Sequence, residues 1–456
     1  MNTTLIKNKH LLSRASFGPT LSQITSLETL DTQRLWNSIS KKRKFVPLNF
    51  INSPLIESYR AKAKTDVAIK NKLSKLKIEL DRELNLLYLN QLIKSDDPLR
   101  EKMSFFWHGH FANRISYAIY ANQLINDIRE NAVGNFKDLL LKVCQSTAML
   151  QFLNNQQNKK GHPNENFARE LMELFTLGRG NYTEKDIKES ARSFTGWGYD
   201  SNGDFTFKIK NHDTGTKEFL GKKGNFNGND IINIILEQKA TAVFITTKIY
   251  QFFVNQIPDK IIIQQLANRF YDSSYNIKSL LEDIFTASWF FDKKNIGNRI
   301  KSPIELIAGL YRLFELELEN PERIISYQSL LGQKLFSPPN VAGWPNGKAW
   351  IDSSSLLYRM RLPQILLGLK SMNIDPIEDN DLTMGNNVKR VEKLLAKSPA
   401  KVNWKLIEKN FKNKSIPNLI LANSESFNTN ILKRYSGSSI QSNIVNIVCA
   451  PEYQLG

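Results

Sequence analysis

The amino-acid sequence predicts a mostly α-helical protein with a small β-hairpin near 203–221 and long ordered loops. Apolar residues recur at helical spacing through most of the chain, and helix-start signals punctuate them. Strict alternation appears in one place only. Val67, Leu73, Leu76, Leu80, Leu84 and Leu87, set among lysines and glutamates, predict a helix over 66–96. Asp96 and Asp97 before Pro98 predict the next start, because an acidic cap accepts unpaired N–H groups and proline suits the first turn. That helix runs through Phe105, Phe106 and Trp107 to Phe111. The same periodicity predicts helices over 117–132, 135–153, 164–178, 183–195, 228–236, 240–255, 258–271, 276–288 and 302–317.

The alternating run Asp204-Phe205-Thr206-Phe207-Lys208-Ile209 reads as a strand, with Glu218-Phe219-Leu220-Gly221 as its hairpin partner. Residues 332–352, rich in Gly, Pro, Asn and Trp, read as a loop whose aromatic content holds it to the body. The acidic, irregular run at 375–381 divides a main helical domain, 1–374, from a smaller helical portion, 375–456, packed on it.

At 456 residues, 41% hydrophobic and 23% charged, the composition is that of a globular protein with a sizeable core. No run approaches the roughly 18 apolar residues of a membrane span. The N-terminus carries no apolar signal stretch, which predicts a cytoplasmic protein. Cys144 and Cys449 share no zinc-type spacing and cannot form a disulfide framework, so thiol chemistry is set aside. The net charge of +18 favours polyanions: nucleic acid, anionic glycans, phospholipid surfaces or acidic proteins. The basic residues lie in small scattered groups such as Lys41-Lys42-Arg43-Lys44, however, and many serve only to solvate helix faces.

The densest polar chemistry lies in Asn164–Gly178. On a regular helix Glu165, Asn166, Arg169, Glu170 and Glu173 share an arc of roughly 140°, with Phe167, Ala168, Leu171, Met172, Leu174 and Phe175 opposite. Asn166, Glu170 and Glu173 stack at i, i+4, i+7. Their oxygens could bind a cation, or leave one carboxyl with a raised pKa for acid–base work. The competing reading is an ordinary amphipathic helix with a solvated acidic face, in which Arg169 pairs with Glu165.

Of five histidines, His108 and His110 flank Gly109. On a continuous helix they point about 160° apart and cannot share a site, whereas a break at Gly109 would let both chelate one metal. His212 precedes Asp213, which could orient it as a base or ligand or could simply form an Asx turn. His10 and His162 read as helix-start and loop residues. The chain has no Walker loop, no dinucleotide fingerprint, no Gly-x-Ser-x-Gly elbow and no His-Glu-x-x-His.

Seven segments in order carry a resemblance: His10-Leu11-Leu12-Ser13-Arg14-Ala15-Ser16-Phe17-Gly18; Phe106-Trp107-His108-Gly109-His110-Phe111; Asn164 through Leu174; Thr195-Gly196-Trp197; His212-Asp213 with Lys217 and Gly221; Ser337 through Pro345; and Pro451-Glu452-Tyr453-Gln454. Over nearly its whole length the chain resembles the bacterial family known as domain of unknown function 1800, which has no established activity. The resemblance implies a shared polar site built from His108, His110, Glu170, Glu173 and His212. It also implies export and a partner related to alkaline phosphatases and sulfatases, at odds with the plain N-terminus. Phe175 and Gln238-Lys239 stand where the family pattern carries histidine and His-Pro.

Two functions follow. In the first, a metal-assisted hydrolytic enzyme acts on an anionic substrate such as a sulfated or phosphorylated polymer. His108, His110, His212 and Glu170 hold zinc, manganese or iron, Glu170 or Glu173 is the base, and Arg169 clamps the anion. In the second, a basic scaffold binds a polyanion or an acidic partner, and the polar helix face forms structural ion pairs with Arg169 and Arg192. Nucleic-acid binding is a weaker form of the second, because no recognised motif supports it.

Overall fold

A computed structural model describes residues 3–50, 67–114, 117–367, 400–425, 427 and 439–456. The segment 375–381, read as a boundary, lies outside them. Among the described residues no helix is long and apolar enough to cross a membrane.

The fold is mostly helical, as the periodicity predicts. Val67–Lys94 is the long central helix, and Pro98–His110, Ala118–Asn131 and Pro303–Phe314 pack against it. Pro98–His110 starts where the sequence places it, with the Asp97 carboxylate accepting from the Arg100 N–H and proline in the first turn. It is buried on nearly all sides, so its polar groups need internal partners. Glu101 takes the Arg129 guanidinium in a 2.8 Å ion pair, and the Trp107 indole N–H donates to the Ala132 carbonyl at 3.0 Å. A reciprocal amide pair, Asn85 with Gln328, joins the central helix to Arg323–Leu330.

Lys239–Phe253 and Lys260–Asp272 form an intimately packed pair beside Ile277–Phe285. Short C-terminal helices, Trp404–Phe411, Ile416–Ile420 and Ile440–Val448, share one hydrophobic core with the rest. The Lys9 ammonium, on helix Thr3–Ala15, donates to the carbonyls of Asn418 and Leu421 and ties the two ends of the chain together.

Three local expectations are corrected. The helix expected over 135–153 is two, Phe136–Gln145 and Thr147–Phe152. Ser146 is extended between them (ψ 138°), and its hydroxyl accepts from the Met149 N–H as a fresh cap. Phe205–Phe207 (β2) pairs not with 218–221 but backward with Trp197–Tyr199 (β1), Trp197 opposite Phe207. Lys217–Phe219 (β3) instead pairs forward with Lys222–Gly224 (β4). The reason is in the turns. Asp200 accepts from the Asn202 and Asp204 N–H groups and closes the first hairpin. Leu220 and Gly221, both at positive φ (45° and 79°), close the second in a two-residue loop. Finally, 164–178 is not a regular helix. Asn166–Glu170 runs directly into a π turn, Leu171–Thr176.

The 332–352 loop lies over the end of Pro98–His110. Gly343 (φ 89°) brings its backbone against the Gly109 carbonyl, where a Cβ would fall 2.6 Å from that oxygen.

Packing is equally tight where Gly228 opens helix Gly228–Leu236 against the β1 hairpin. A Cβ there would lie 2.6 Å from the Phe194 ring. Gly228→Ala is therefore expected to cost about 1–3 kcal/mol of stability by overpacking. Urea unfolding monitored by tryptophan fluorescence checks this, and an unchanged midpoint would refute it.

Candidate functional site

The π turn decides how the acidic helix face is presented. Leu177 and Gly178 both donate to the Met172 carbonyl, and the Thr176 hydroxyl donates to the Leu171 carbonyl, so one residue is inserted into the helical register. The expected convergence of Asn166, Glu170 and Glu173 is not formed. The Asn166 amide turns away and donates to the Leu153 carbonyl.

The Arg169 guanidinium forks onto both oxygens of Glu184, at 2.8 and 2.9 Å, and reaches Glu165 at 3.4 Å. The Glu184 hydrogen bonds hold the guanidinium even more firmly protonated than usual. Glu173 accepts from the Arg179 guanidinium at 2.6 Å and from the Tyr182 hydroxyl at 3.2 Å. Burial first, and then Glu173, push the Tyr182 hydroxyl up to about 12. Glu170 differs from both neighbours. No hydrogen bond or ion pair among the described residues engages its half-buried carboxylate. Burial and the neighbouring Glu173 charge raise its pKa.

The histidines go to three separate environments. Helix Pro98–His110 is continuous through Gly109, so His108 and His110 face apart and the chelating alternative is not realised. His108 is buried among Tyr88, Phe336 and Trp344, and its Nε2 accepts from the Phe336 N–H at 3.2 Å. That bond fixes the neutral tautomer with its proton on Nδ1 and occupies the Nε2 lone pair that a metal would need. His110 sits among Phe106, Trp107 and Phe111, with Nε2 donating to the Phe175 carbonyl at 3.0 Å. His212 Nδ1 donates to the Thr195 carbonyl at 2.9 Å, and the ring meets Phe207 edge-on.

Asp213 turns from His212 to the Arg192 guanidinium, which it meets at 2.9 and 3.2 Å while Arg192 also grips Glu189. The Arg192 hydrogen bond holds the Asp213 carboxyl at about 2. Lys217 donates to the Asp213 carbonyl and the Asn225 side chain. The set His108, His110, His212 and Glu170 is thus not one ligand shell. Among the described residues no three His, Cys, Asp or Glu side chains are grouped to hold a metal ion. Of the expected catalytic residues, Glu170 and Glu173 are neighbours, and Arg169 is engaged with Glu184 and Glu165.

Sequence reading missed the other concentration of charge, the buried carboxylate of Glu305. It accepts from Lys102 at 2.6 Å, from Arg299, and from the Ser302 N–H at 2.8 Å. Burial alone would raise its pKa, but the Arg299 and Lys102 cations beside it hold the carboxyl well below the usual range. The available signal was Ser302-Pro303-Ile304-Glu305, a capping box preceded by Arg299 and Lys301.

The His108 environment makes a pH prediction. Burial drives its pKa from 6.5 down to about 3, so the unfolded chain takes up this proton first as pH falls. The stability due to neutral His108 is complete above pH 6.5 and is lost as pH drops toward 3, on the order of 1.4 kcal/mol per pH unit. His108→Gln keeps an acceptor for the Phe336 N–H without titrating. Urea unfolding from pH 7 to 4.5 should give this variant a flatter acid limb than the native protein, and identical slopes would reject the assignment.

No curated protein and no solved structure matches the chain. The family model described as "Protein of unknown function (DUF1800)" matches residues 10–455, and the chain belongs to that family.

Proposed function

We propose that the protein is a binding scaffold for an anionic partner, an acidic protein or a charged polymer, rather than a metal-dependent hydrolase. The observation that carries this reading is the engagement of the polar side chains. Arg169 joins Glu165 to Glu184, and Arg192 joins Glu189 to Asp213, so both arginines act as cross-braces between segments. His108, His110 and His212 each satisfy a backbone group of a different segment. The chain carries 62 Lys and Arg against 44 Asp and Glu, and that net positive charge attracts an anionic partner. An acidic protein, or a sulfated or phosphorylated polymer, fits this charge.

Binding of dextran sulfate checks the reading. Affinity at 50 mM salt should fall at least about tenfold at 200 mM, as counterion release requires. No binding at 50 mM, or binding indifferent to salt, would overturn it.

One observation favours a second reading, hydrolytic acid–base chemistry: Glu170 is unpaired and its pKa is raised beside the fully paired Glu173. In that reading Glu170 donates a proton beside Glu173, which Arg179 and Tyr182 hold in place. Elemental analysis of the purified chain separates the metal-assisted form. Near-stoichiometric zinc, manganese or iron, lost in both Glu170→Ala and His212→Ala, would restore it. Metal-free folded protein that takes up none of the three would leave the scaffold.

A further inference from the structure

A cavity of about 50 Å³ lies between helix Thr3–Ala15, helix Pro98–His110, the Arg299–Glu305 segment and the C-terminal strand of chain around Tyr453 and Leu455. Its charged lining is Lys9, Lys102, Arg299 and Lys301 against Glu305 alone. Arg14 and Arg359 stand close enough to add their charge to the same carboxylate. Burying so many cations around one carboxylate is unfavourable unless further negative charge is supplied.

The hydrogen-bond pattern points the same way. Arg299 is 7% exposed, lines the cavity, and leaves its Nε without a partner. Arg14 Nε and Nη1, Arg359 Nε and Gln454 Nε2 are also buried without partners, on residues that do not line the cavity. The one that belongs to a lining residue, Arg299 Nε, is a donor. A buried donor is normally satisfied, and one on the lining of a cavity crowded with cations calls for an acceptor-rich guest. The volume is about four times what one water needs, which suits a small oxyanion.

We propose that this cavity binds a small, multiply charged oxyanion of the phosphate or sulfate class, held by Lys102, Arg299 and Lys301. Arg299 supplies the planar donor edge that such an anion accepts from, and Lys102 and Lys301 supply point charges. Glu305 orients Lys102 and Arg299 from the other side, so the donors are placed before the anion arrives. The site is separate from the Asn164–Gly178 segment and stands whether or not the scaffold reading holds.

Protonation gives an additional signature. The Lys301 ammonium lies over the Tyr453 ring and donates to the Tyr453 carbonyl at 2.7 Å. Burial, with Lys102, Arg359 and Arg299 adding repulsion and Glu305 opposing, pushes it down to about 7. A bound dianion favours the charged lysine, so binding near pH 7.5 should draw a proton from the buffer.

The test is isothermal titration of the full chain with sodium phosphate and, separately, sodium sulfate, against sodium chloride at matched ionic strength. The expected result is saturable binding of one oxyanion per chain, with heats that vary with the buffer's ionisation enthalpy. Thermal stability should rise with the logarithm of oxyanion concentration and not with chloride. Lys301→Met and, independently, Arg299→Gln should each weaken binding at least about tenfold. The tighter of the two anions identifies the natural class, a phosphorylated or a sulfated ligand. No difference between oxyanion and chloride would overturn the proposal, and so would native affinity in both folded variants. If a variant fails to fold, the native titration decides alone.

Discussion

The Glu305 carboxylate is the contact on which the assembly of this chain most depends. It caps its own helix through the Ser302 N–H, receives Lys102 from helix Pro98–His110, and receives Arg299 from the preceding segment. From there the order spreads outward. Arg299 exchanges backbone hydrogen bonds with Gly456, Lys301 donates to the Tyr453 carbonyl, and Arg359 donates to the Lys301 carbonyl. Arg14, from the first helix, donates to Asn295 and Asn298. One carboxylate thereby fixes where the first helix, the central body and the end of the chain meet. Removing one partner of such a buried group typically costs about 3–5 kcal/mol, far more than an exposed pair such as Arg179 with Glu173 contributes.

The helices were legible because their signals are local. Apolar spacing and caps such as Asp97 before Pro98 act within a few residues, and the starts and stops follow them closely. The strand pairing was not legible, because Phe205–Phe207 has an equally plausible partner on either side. The choice falls to turn conformations, including a leucine held at positive φ, that composition does not announce. The break at Ser146 escaped for a related reason: apolar spacing continues across it, and only the serine's switch to an extended cap ends the helix.

The polar segment shows a different limit. Its residues are dense in acids, amide and arginine, but a helical wheel assumes 3.6 residues per turn, and one inserted residue in the π turn shifts Glu173 relative to Glu170 and Asn166. Partner choice was equally invisible. Glu184, Arg179 and Tyr182 reach back from beyond the turn to occupy Arg169 and Glu173. The Glu305 cluster was harder still, since Arg14, Lys102, Lys301 and Arg359 come from segments spread over most of the chain. Periodicity along a chain carries no information about such meetings.

These placements change what polar density in the sequence means. A run such as Asn164–Glu173 gathers acids, amide and arginine in ten residues, yet most of that chemistry is spent on holding segments together. The interior around Glu305 draws single cations from distant places and remains unbalanced, with Lys9, Lys102, Arg299 and Lys301 against one carboxylate and the Arg299 Nε donor left without an acceptor. Satisfied groups stabilise and are chemically quiet, whereas unsatisfied groups of one sign mark where another molecule completes the structure. By that criterion the surplus of positive charge in this protein is a property of its interior as well as of its surface, and the buried part is the more specific, because there the geometry of the donors is already fixed.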